Sequence, residues 1–72
     1  MRATITKPGV NEPGSIPGSV RRSEPYARLE DGRTMPMGLN MGKTYPVGTT
    51  GTAKYVKSAS YGLWHFTPDE QN

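Results

Sequence analysis

Pro-Gly recurs three times between Lys7 and Val20, at 8–9, 13–14 and 17–18, and this spacing limits the fold more than any other feature of the chain. Each proline fixes its own φ and removes a backbone donor, while each glycine readily takes the positive φ of a tight turn. A run of this kind excludes a helix or an interior strand and encodes successive bends. Ile5, Val10, Ile16 and Val20 punctuate it at intervals of four to six residues. Residues 1–22 therefore read as an extended arm that sets one aliphatic side chain at a time into a neighbouring surface. Within it Arg2–Thr6 alternates as a short strand that Pro8 ends. A strand at a terminus can pair with an exposed edge, its own or a neighbour's.

The rest of the chain offers little core. Hydrophobic residues make up 32% of the 72, with nine glycines, seven prolines and a mean hydropathy of −0.72. At roughly 1.5 kcal/mol of ordering entropy per residue against about 25 cal/mol per Å² of apolar burial, such a chain needs dense packing, staples or a partner. There is no cysteine, so disulfides and thiolate metal sites are excluded. The start, MRATITKPG, lacks the apolar segment of a signal peptide, and no run approaches a membrane span. The expectation is a soluble, unprocessed chain without membrane contact, in a virion if it is a particle component and otherwise cytoplasmic.

Residues 23–72 read as a small β domain. Residues 23–33 can be read two ways: Ser23, Glu24 and Pro25 suit a helix start with Gly32 as its stop, whereas Asp31-Gly32 is a two-residue hairpin signal. The hairpin is preferred, with Glu30 opposite Arg33 and Leu29 opposite Thr34. Met35, Met37, Leu39 and Met41 then alternate, which puts them on one face of an extended segment, either as inward side chains or as an adaptable contact strip. Residues 43–68 are the best-defined part. A short run at Tyr45–Val47 and a turn at 48–51 precede the alternating stretch 52–59 and the strand Leu63–Phe66. Val47, Val56, Leu63, Trp64 and Phe66 form the expected core, with Trp64 as its anchor. Asp69–Asn72 reads as a solvated tail. The fold class is thus mainly β with much irregular structure: an extended Pro/Gly-rich N-terminal arm followed by a small antiparallel β-hairpin or meander.

Chemistry is sparse. His65 has no nucleophile or metal set around it in the sequence. Gly42-Lys43-Thr44 matches the end of a phosphate-binding loop, but Met37 stands where that loop needs glycine and Tyr45-Pro46 stops the helix that should follow. No enzyme, cofactor or metal is expected. The net charge of +3 is spread along the chain, apart from Arg21-Arg22. Single-stranded nucleic-acid binding is the second reading, with Arg21, Arg22, Lys54, Tyr55 and Lys57 as contacts; a regulatory β module belongs to the same class. The first reading is a non-enzymatic accessory protein of a larger assembly, above all a virus or phage particle, as a cement, decoration or connector. It would bind protein subunits, or copies of itself, through Ile5, Val10, Ile16, Val20, Met35, Met37 and Met41.

Overall fold

The computed structural model describes residues 1–69. Its strands are β1 (Arg2–Lys7), β2 (Val10–Pro13), β3 (Val20–Ser23), β4 (Tyr26–Leu29), β5 (Thr34–Pro36), β6 (Thr50–Lys57) and β7 (Gly62–Pro68), with one 3-10 turn at Gly38–Asn40. Five strands form an antiparallel sheet in the order β5-β4-β1-β6-β7, and β2 and β3 pair separately.

The first 29 residues form one long hairpin, not an arm. β1 pairs with β4 through Ala3↔Leu29 to Lys7↔Tyr26, and β2 pairs with β3 from Val10↔Ser23 to Pro13↔Val20. Equal spacing on the two strands sets Pro8 opposite Pro25. Neither has an N–H, so the ladder breaks at that level and the outer half leaves the sheet. β1 therefore lies at the centre of the sheet, hydrogen-bonded within the chain on both sides, and the hairpin runs across the boundary expected at residue 22. The outer half stands off as a ribbon closed by a turn at Ser15–Gly18, where Gly14 N–H donates to Ser19 O at 2.9 Å. The radius of gyration is 13.0 Å, against about 11 Å for a compact chain of this length.

Alternation fixes which face of the sheet is buried. Ala3 and Ile5 of β1, Ala27 and Leu29 of β4, Ala53 of β6 and Phe66 of β7 are buried together with Met37. Arg2, Thr4, Arg28, Thr50, Thr52 and Thr67 alternate with them and are exposed on the other face, as in an antiparallel sheet with one solvated side. Small residues stand beside large ones in register: Ala3 lies between Leu29 and Gly51, and Ala53 is opposite Phe66. Gly51 is required, because a Cβ there would collide with the Phe66 ring and with Thr67 O.

The segment after β5 closes this core. Met37 N–H donates to Pro25 O at 2.7 Å and its side chain is fully buried. Asn40, 1% exposed, then pairs with the outer edge of β7: Phe66 N–H donates to Asn40 Oδ1 at 2.8 Å and Asn40 Nδ2 donates to Phe66 O at 3.1 Å. The same Nδ2 donates to the Tyr45 hydroxyl at 3.0 Å, and the Tyr45 ring meets Phe66 edge-on at 5.2 Å. A side-chain amide here stands in for one peptide unit of a missing strand.

Other expectations change. Residues 23–33 are not a helix, and the β4–β5 turn is not the two-residue one. Leu29 N–H donates to Arg33 O, which leaves a three-residue loop, Glu30-Asp31-Gly32, with Gly32 at φ 93 and Arg28, not Leu29, opposite Thr34. Arg33 N–H and Nε both donate to the Asp31 carboxylate and favour this loop. The Met35–Met41 alternation fails because the 3-10 turn interrupts it: Met37 is buried, while Leu39 and Met41 are 45% and 58% exposed. Val47, 65% exposed, lies in a loop outside the core, and Val56, 41% exposed, faces the solvated side. Leu63 and Trp64 are half-buried, so Phe66 anchors the core in place of Trp64. Asp69 is bonded to Arg2 and Thr50, not merely solvated. The remainder of the expected tail, 70–72, lies outside the described residues.

Asn40→Leu keeps the volume but strands the Phe66 N–H and C=O, so it should cost about 2 to 3 kcal/mol of stability. The urea midpoint of unfolding measures this, with an unchanged slope expected; a loss below about 0.5 kcal/mol would mean that these groups find other partners.

Candidate docking surface

The ribbon of β2 and β3 has no core of its own. Asn11–Pro13 and Val20–Arg22 are exposed, and only Val10 and Ser23 at its root are half-buried. Ile16 is 69% exposed in the turn, and Val20 beside it is 54% exposed. Glu12 and Arg21, opposite one another in register, form a surface ion pair at 2.9 Å. A two-stranded ribbon is marginal in water by itself. Gly9 holds its root by lying against Lys43 O, and Gly42 N–H donates to Ser23 O at 3.3 Å.

The structure separates the expected contact residues. Ile5 and Met37 are core residues with no exposed surface to offer a partner, and Met35 is half-buried against the core. Val10 sits at the ribbon root, Ile16 and Val20 at its outer end, and Met41 on the loop beyond the 3-10 turn. Of the expected nucleic-acid contacts, Arg21 and Arg22 belong to the ribbon, whereas Lys54, Tyr55 and Lys57 belong to β6. Lys54 and Tyr55 point to opposite faces of that strand. The Tyr55 ring leans edge-on against Trp64 at 5.4 Å, with the Arg33 guanidinium 5.7 Å from the Trp64 ring.

Two surface features were not legible in the sequence. Lys7, Arg22 and Lys43 belong to segments that meet at the ribbon root, where the Arg22 stem lies beside Gly42, the Lys43 backbone oxygen lies against Gly9 and Lys7 Nζ lies 5.5 Å from the Tyr26 ring centre. These three cations make no ion pair among the described residues. No local pattern signals this grouping, because it arises from the long hairpin meeting a loop far along the chain. The second feature is a shallow recess lined by Tyr45, Pro46, Thr49, Thr50, Pro68 and Asp69. Its one carboxylate is already engaged: Arg2 Nη1 and Nη2 donate to Asp69 at 2.7 and 2.6 Å, and Thr50 Oγ1 donates at 2.9 Å. No group in the recess is poised for acid–base work.

Comparison with protein-family models, curated proteins and solved structures gave no match.

The Arg2 hydrogen bonds, followed by that of Thr50, lower the Asp69 carboxyl from 3.8 to about 2. A depressed carboxyl stabilises the fold above its unfolded value and loses that contribution as pH falls through the folded value. The melting temperature of the chain should therefore fall between about pH 4 and pH 2, and Asp69→Asn should remove that part of the dependence. An unchanged acid limb in the variant would show that the Arg2 latch contributes nothing.

Proposed function

We propose that this chain is a non-enzymatic subunit of a larger assembly, docked onto neighbouring protein through the β2–β3 ribbon. The observation that carries this reading is a ribbon that stands off the sheet with Ile16 and Val20 uncovered at its end. Aliphatic side chains on a projecting element gain free energy only when another surface covers them. Pro8, Pro13, Pro17 and Pro25 limit the conformations open to the segment, which reduces the entropy lost when it docks. Virus or phage particles are the assemblies expected first, with the chain as a cement, decoration or connector between larger subunits.

A second reading, as a single-stranded nucleic-acid module, draws on the outer half of β6, where Tyr55 is 52% exposed and Lys57 shares its face of the strand. Salt separates the two readings. Phosphate contacts weaken steeply as salt rises, whereas apolar docking is nearly indifferent.

Ile16→Asp and Val20→Asp, each at an exposed site, should leave the melting temperature unchanged and lower incorporation into the assembly at least tenfold, about 1.4 kcal/mol. Co-sedimentation with the assembled particle at low and high salt is the measurement. Normal incorporation of both variants, at low and at high salt, would overturn the docking reading.

A further inference from the structure

The described part of the molecule has four strand edges, and three of them are blocked. β5 is three residues long and ends in Pro36. On β7, Asn40 occupies the Phe66 groups and Pro68 has no N–H to offer. β2 carries Pro13. β3, Val20–Ser23, contains no proline. The Gly14–Ser19 hydrogen bond sets the alternation of the ribbon: Arg21 and Ser19 bond inward to β2, and Val20 and Arg22 direct N–H and C=O away from it. Those groups have no backbone partner among the described residues.

A strand edge specifies its occupant more narrowly than an apolar patch does, because donors and acceptors repeating along it are matched by an extended polypeptide. Charge narrows the choice further. The edge carries Arg21 and Arg22, and Lys7 and Lys43 lie at its root. Pairing β3 with the β3 of a second copy would bring the arginines of the two strands close together, which is unfavourable. A strand bearing carboxylates meets Arg22 and the root lysines with opposite charge. A third strand also supplies what a two-stranded ribbon lacks for stability.

We propose that β3 receives an extended acidic segment of another polypeptide as the third strand of the ribbon. The inference rests on the docking reading above; backbone pairing along β3 is the contact that a short peptide makes, whereas Ile16, in the turn beyond β3, is covered only by a larger partner.

The test uses the full chain as bait for a random dodecapeptide display library, with Val20→Pro, Arg22→Glu and Ile16→Asp as comparison baits. Proline at 20 deletes an outward N–H and leaves the β2 ladder intact. Enriched peptides should carry acidic residues at alternate positions, bind Val20→Pro and Arg22→Glu roughly tenfold more weakly, and bind Ile16→Asp normally. Amide exchange at Val20 and Arg22 in the wild type should slow when such a peptide is bound, a readout independent of how the variants fold. No enrichment, or peptides indifferent to Val20→Pro that leave those amides unprotected, overturns strand addition. Peptides that lose affinity only for Ile16→Asp overturn strand addition and leave docking through the ribbon end intact. Indifference to all three variants overturns both.

Discussion

Two prolines facing each other across one hairpin decide the shape of this molecule. A hairpin of 29 residues would otherwise continue as a single twisted ribbon, because each antiparallel pair positions the next. With Pro8 opposite Pro25, a level of the ladder has no N–H on either strand, and the two halves separate in role. The inner half becomes the middle of a sheet and is covered by the remainder of the chain. The outer half has nothing over it.

The sheet manages a poor supply of apolar residues by covering one face only. Alanine and glycine beside Leu29, Ile5 and Phe66 let the loop after β5 approach closely, so Met37 and Asn40 can close the core without a sixth strand. Asn40 could be expected to destabilise so small an interior, since a buried amide without partners is costly. It is tolerated because both of its polar atoms bond to the outward-facing backbone groups of Phe66 on β7 and one also reaches Tyr45. One residue thereby satisfies itself and blunts an edge that would otherwise be sticky.

Charge follows a similar division. Arg2–Asp69, Arg21–Glu12 and Arg33–Asp31 form ion pairs on exposed ground and contribute modestly to stability. The cations left over gather partly at the ribbon root, beside the element with the least burial of its own. A region so thinly supported would gain stability from a covering surface, and this is the physical basis for the docking role proposed there.

Local chemistry in the sequence marked several of the strands, though not β2 and β3. Alternation marked Arg2–Thr6, the stretch after residue 50 and Leu63–Phe66, and the proline and glycine positions marked where the backbone had to bend. The same signals placed Ile16 and Val20 outside any core. Tertiary structure alone decided which strands are central, because strand order depends on contacts between residues far apart in the chain and alternation carries no such information. It made β1 a middle strand and Ile5 a core residue, folded the expected arm back on itself, and chose Phe66 over Trp64 as the anchor. Asn40 and the Lys7–Arg22–Lys43 cluster were invisible for the same reason: each exists only where two distant segments meet.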